Sequence, residues 1–221
     1  MTSRLWEICV SSFSKILIPG LTVTIPLTAV SFILALIIAV ICALIRYAKI
    51  PVLREIVRFY VWVIRGTPLL VQLYVVFYGL PNLGVMIDPL PCAIMVFAIN
   101  EGAYCTETIR GSLEAVPITQ IEAGRSLGLG WVSTMRLIAL PQAMRSAFPA
   151  LSNSLISMLK DTSLASGITV TEMFMTTQRI AGRYYEYLAL YIEVALIYLI
   201  FCTILQRLQA RIEKRLSRYE L

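Results

Sequence analysis

Residues Ile16 to Ile45 read ILIPGLTVTIPLTAVSFILALIIAVICALI and contain no charged side chain. A helix needs about 20 apolar residues to cross the hydrocarbon core of a bilayer. This stretch therefore predicts a transmembrane helix. Pro19 and Pro26 lie in its first part. Their missing backbone N–H groups predict a kink there, or a start along the membrane interface.

Weaker apolar runs follow. One covers Phe59 to Leu80, interrupted by Arg65; another covers Pro91 to Ile109 and carries Glu101 and Glu107. A run from Ala147 to Phe174 carries Lys160 and Asp161, and a last one from Tyr187 to Leu205 carries Glu193. The predicted fold class is an all-α polytopic membrane bundle of about five transmembrane helices. Residues 1–221 read as a single domain.

Composition agrees: 58% of the chain is hydrophobic and 14% is charged, where soluble domains carry about a quarter charged residues. The chain has no histidine, which removes the usual metal ligand and general base. Cys9, Cys42, Cys92, Cys105 and Cys202 form no Cys-x-x-Cys pair and read as small buried hydrophobes rather than disulfides or ligands. No cleavable signal pattern is expected, because the first apolar run is too long for an h-region.

The net charge of +6 could suggest a nucleic-acid partner, but its distribution reads as a topology signal. Arg46, Lys49, Arg54 and Arg58 follow the first run; Arg110, Arg125, Arg136 and Arg145 follow the third; Arg207, Arg211, Lys214, Arg215 and Arg218 follow the last. Positive loops stay in the cytoplasm. The N-terminus is therefore expected outside and the C-terminus in the cytoplasm, with no nucleic-acid partner.

The longest cytoplasmic segment, residues 111–145, has room for two short helices. Pro117 suits a helix start, Gly128 and Gly130 a break, and Pro141 the next boundary. It reads Glu122-Ala123-Gly124-Arg125-Ser126-Leu127-Gly128, then Ile138-Ala139-Leu140-Pro141. This resembles the EAA loop of ABC importer permeases. Arg65-Gly66-Thr67-Pro68 resembles that family's Arg-Gly-Thr-Pro signature, and Ala103-Tyr104, Glu107 and Arg110-Gly111 its Ala-Tyr-x-x-Glu-x-x-Arg-Gly stretch. Lys160-Asp161-Thr162-Ser163-Leu164 matches Lys-Asp-Thr-Ser-Leu. Together these motifs cover residues 59–164. The chain is identified as a member of the polar amino acid permeases, with the type I ABC importer fold. Tyr78-Gly79-Leu80-Pro81 and Ile87-Asp88-Pro89-Leu90-Pro91 are most similar to L-cystine permeases.

The resemblance implies a subunit of the bacterial inner membrane that moves a polar amino acid by alternating access. It implies a separate ABC ATPase inside, a solute-binding protein outside, and a second permease copy or a sister permease. Glu122, Ala123, Gly124, Leu127 and Gly128 are the residues expected to couple to the ATPase. Glu122 is expected near its helix start, favoured by the macrodipole. Gly124 and Gly128, four apart, are expected on one helix face, allowing close approach. No Gly-x-x-x-x-Gly-Lys-Ser/Thr occurs, so ATP is expected on the partner, with no cofactor and no catalytic residue in this chain.

Charged side chains inside a membrane are costly and usually functional. A zwitterion needs a donor for its carboxylate and an acceptor for its ammonium. Arg65, Glu101, Lys160 and Asp161 lie roughly 10 to 20 Å from the cytoplasmic helix ends at 1.5 Å per residue. They are expected to share one cavity with Gln72, Asn100 and Ser163. The other reading pairs Arg65 with Glu107 and Lys160 with Asp161. Two rival classes stay open on these residues: an ion-gradient-driven secondary transporter, and a Ser-Lys hydrolase using Ser157 or Ser163 with Lys160.

Overall fold

The computed structural model describes residues 2–216, and every regular element among them is helical. Arg218, counted in the basic tail, lies outside the described residues. The chain opens with α1 (Thr2–Pro19), a π-turn over Gly20–Thr24, and α2 (Ile25–Tyr47). These merge into one apolar helix from Arg4 to Tyr47, 44 residues long. The helix thus begins well before Ile16, and neither Pro19 nor Pro26 ends it.

Next come α3 (Pro51–Arg65), α4 (Leu69–Tyr74), a π-turn over Val75–Gly79 and a 3₁₀ turn over Leu80–Leu83. The expected span from Phe59 to Leu80 is not straight: Pro51–Arg65 and Leu69–Leu83 meet at 103°. The elbow is Gly66-Thr67-Pro68. Proline lacks an N–H and restricts the residue before it, so the helix cannot run through. The Gln72 amide braces the bend, donating to the Ile64 carbonyl at 2.8 Å, the Thr67 carbonyl at 3.1 Å and the Thr67 hydroxyl at 2.8 Å.

The long helix α5 (Pro89–Glu114) leads to α6 (Ile118–Ser126) and α7 (Trp131–Thr134). A π-turn over Met135–Ala139 then runs into α8 (Leu140–Asp161). Pro141 therefore marks a change of helical winding rather than a helix end. The expected span over Ala147–Phe174 also breaks early. Thr162, Ser163 and Ser166 hydroxyls bond the carbonyls of Leu159, Lys160 and Ser163, and the backbone tightens into a 3₁₀ turn over Thr162–Ile168. Such side-chain bonds compete with the helical ladder. The chain closes with α9 (Met173–Tyr184) and α10 (Tyr187–Leu216). The last helix carries the basic residues beyond Leu205.

Two helices are long and apolar enough to cross a membrane, or three if the bent pair counts as one span. Helices α5 and α8 are long enough at about 39 and 33 Å, but their polar residues keep them from reading as lipid-exposed spans. They lie inside. The most extensive packing joins α2 to α5, and α8 packs against both, chiefly α5. Ala35, Ala39 and Ala43 of α2 are fully buried, one turn apart. Small residues on such a stripe let membrane helices approach closely. Opposite them, Ile33, Ile37 and Ile41 are exposed, as are Ile192, Leu196 and Leu199 on α10. These are the faces expected against lipid.

Gly102 sets the close approach of α5. A Cβ there would meet Ile38 Cγ2 at 3.0 Å and the Tyr60 hydroxyl at 3.1 Å, while Tyr60 is fixed by a 2.6 Å bond to the Ile99 carbonyl. Gly102→Leu is expected to destabilise the fold by about 1–3 kcal/mol through overpacking. Thermal unfolding in detergent should show a lower melting temperature, and Gly182→Ala, whose Cβ meets open space, should not.

Candidate functional site

A cavity of about 460 Å³ opens where the elbow, α5 and α8 meet. Thr67, Pro68 and Leu69 line it from the elbow, Asn100, Glu101 and Tyr104 from α5, and Asn153, Ser154, Ser157 and Asp161 from α8. The helical period places the α5 and α8 residues on one face each. Asn100 is buried and donates to the Gln72 carbonyl oxygen at 3.0 Å, tying α5 to the elbow brace. Glu101 takes a weak thiol contact from Cys105 at 3.6 Å.

The expected single cavity is divided. Asn100, Glu101 and Asp161 share it. Gln72 stands behind it as the brace of the elbow. Arg65 stacks on the Tyr104 ring, 5.1 Å from its centroid, at the edge of the same chamber. Lys160 and Ser163 do not join them. They line a separate cavity of about 680 Å³ with Phe174, Tyr191 and Tyr198. The reason is the face of α8: Asn153, Ser154, Ser157 and Asp161 cluster on one side of the helix, and Lys160, about 100° round from Asp161, falls on the side of Ile156.

The alternative pairings do not form either. Glu107 bonds Arg46 of α2 and Arg110 of its own helix, and Arg110 continues to Glu114. This ladder ties the end of α2 to the end of α5 beside Lys49 and Arg125. Sequence also leaves Glu172 unremarked. Its side chain is fully buried, yet it caps α9, accepting from the backbone N–H of Phe174 and Met175 at 2.7 and 2.6 Å and from the Tyr198 hydroxyl at 3.3 Å. An acid directly before a helix start was the available signal. Asn153 and Ser154 also lacked one, because hydroxyls and amides are common on helices of every kind.

The second candidate region is the hairpin of α6 and the helix beginning at α7. Pro117 stands at the N-cap of α6, as its position predicts. Glu122 lies beyond the first turn, so the macrodipole does not account for it. Gly128 is not on the helix face. It follows the helix end with φ +82°, and the N–H groups of Gly128 and Leu129 bond the carbonyls of Arg125 and Gly124, a Schellman cap. Gly124 does permit close approach, but to its own chain: a Cβ there would lie 2.6 Å from Ile138 Cδ1. Glu122, Ala123 and Leu127 remain on the outside, with Leu127 83% exposed.

Among known proteins, residues 35–218 match the family described as "Binding-protein-dependent transport system inner membrane component". The chain is 47% identical to the L-cystine transport system permease protein TcyB of Bacillus subtilis (strain 168), over 97% of this chain and 92% of that one. It is 34% identical to the nopaline transport system permease protein NocM of Agrobacterium fabrum, over 91% and 88%. A crystal structure of an amino acid ABC transporter with histidines superposes with a TM-score of 0.85 at 33% identity, covering 93% of this chain and 96% of that chain.

The Schellman cap gives a direct test of the hairpin. Gly128→Val forces a β-branched residue into the left-handed region, at a cost of about 1–2 kcal/mol. Trypsin applied to the protein in detergent should then cut after Arg125 faster than in the parent, with little change in the melting temperature of the bundle.

Proposed function

The chain belongs to the family of binding-protein-dependent transport system inner membrane components, and from that premise we propose that it forms the pore of an ATP-driven importer of L-cystine. The observation that carries this reading is the cavity holding Asn100, Glu101 and Asp161 between the elbow, α5 and α8. A zwitterionic amino acid needs acceptors for its ammonium groups and donors for its carboxylates. Glu101 and Asp161 supply the first. The Arg65 guanidinium, the amide of Asn153 and the hydroxyls of Ser154 and Ser157 supply the second. The choice of cystine draws on the higher identity to the L-cystine permease than to the nopaline permease.

In this reading the chain works as one permease domain beside a second copy or a sister permease. The basic ends lie in the cytoplasm and the N-terminus lies outside. An ABC ATPase grips the α6 hairpin on the face of Glu122, Ala123 and Leu127, and a solute-binding protein delivers cargo from outside. The hairpin is a stiff lever: the Schellman cap locks its turn, and Ile138 over Gly124 locks its two arms together. Its far arm continues through α7 into α8, which carries Asp161 to the cavity. Rigid-body motion of one end therefore reaches the other. ATP binding would draw the hairpins together and open the cavity outward, and hydrolysis would return it inward.

Two measurements test this. Proteoliposomes holding the permease, its ATPase and its binding protein should take up labelled L-cystine only with ATP on the ATPase side. Uptake driven by a proton or sodium gradient without ATP would overturn the reading. Leu127→Glu should strip the ATPase from the purified complex and reduce uptake by at least about tenfold, an effect on the order of 1.4 kcal/mol.

A further inference from the structure

The cavity is unbalanced in charge. Glu101 and Asp161 reach it from different helices. Neither carboxylate has an ion-pair partner among the described residues. Arg65 stands at the edge of the chamber, where it is set to meet a carboxylate of the cargo, and each nearby cation already has a contact of its own. Arg65 stacks on Tyr104, Arg46 and Arg110 hold Glu107, and Lys160 lines the other cavity. Two carboxylates without a salt bridge inside a membrane bundle are costly. The chamber therefore offers two acceptors for ammonium groups.

The two acids also differ in kind. Asp161 belongs to the Lys160–Leu164 motif that carries the family resemblance, whereas Glu101 stands outside every such motif stretch. Asp161 therefore suits the ammonium that every amino acid has, and Glu101 suits a group that only some cargoes have.

We propose that the cavity selects solutes bearing two ammonium groups, one against Asp161 and the other against Glu101, and that it does not read the disulfide between them. This rests on the cavity being the substrate site. L-cystine then fits as a diamine with two carboxylates, and a thioether of the same length that keeps both amino groups fits equally. A cargo that keeps the disulfide but loses one ammonium leaves Glu101 unpaired and is refused.

The test is equilibrium binding of labelled L-cystine to the permease–ATPase complex in nanodiscs, without the binding protein, so that only the membrane site selects. Two competitors separate the possibilities. Cystathionine keeps both ammonium groups and replaces the disulfide. The mixed disulfide of cysteine with 3-mercaptopropionate keeps the disulfide and both carboxylates but has one ammonium. Cystathionine should displace cystine about as well as cystine itself, and the mixed disulfide should be at least about tenfold weaker. In Glu101→Gln the two competitors should become alike, chiefly because cystathionine weakens. Equal competition in the parent protein would overturn the proposal, and that result needs no variant to fold. Binding of cystathionine without binding of cystine would overturn the cystine reading and support the two-ammonium rule. Binding of neither would overturn both.

Discussion

The close packing of α2 on α5 is the constraint that the rest of the structure hangs on. Water offers no drive for helices to associate within a bilayer, so contact must come from fit. The fit here is made of absences: Ala35, Ala39 and Ala43 on one helix and Gly102 on the other leave room for the backbones to approach. That approach fixes the rotation of α5. With one face of α5 buried on α2, Asn100, Glu101 and Tyr104 have to face the elbow and α8. The Glu107 ladder holds the same rotation at the Glu114 end of α5.

A second regularity concerns how the helices bend. Pro26, Pro81 and Pro141 each fall two residues after the end of a π-turn, over Gly20–Thr24, Val75–Gly79 and Met135–Ala139. A wide turn gives the ring room and moves the backbone bonds so that the absent N–H is less missed. Prolines that read as boundaries in sequence are in this fold places where a helix changes winding and continues. Pro68 is different, because no wide turn precedes it and the chain folds over by 103°.

Much of the architecture was legible because it follows from burial. The uncharged run from Ile16 to Ile45, the presence of a helix over Pro91–Ile109 within the longer Pro89–Glu114, and the break at Gly128 are all written in residue type. What was not legible depends on direction or on competition between nearly equal bonds. Hydropathy averages over Arg65 to Pro68 and cannot register an elbow held by one glutamine side chain. It likewise cannot register three hydroxyls drawing Thr162–Ile168 into a tighter turn. Lys160 and Asp161 look like one polar spot in the sequence, yet they serve separate cavities. Of the candidate site, composition picked out the acids, Glu101 and Asp161, and missed the uncharged lining of α8, whose serines and asparagine carry no signal of their own.

The separation of Lys160 from Asp161 also limits how this chain can change over evolutionary time. Loops such as Gly84–Asp88 can gain or lose residues without turning anything else. Helix α8 cannot. A single residue inserted between Pro149 and Leu159, with the Leu140 end held fixed, rotates everything beyond it by about 100° and brings Lys160 to the position of Asp161. One of the two acids of the chamber would give way to a lysine in one genetic step, while Glu101 on α5 stays. Length in α8 is therefore a heritable setting of charge, and drift in this helix should proceed by substitution and almost never by insertion or deletion.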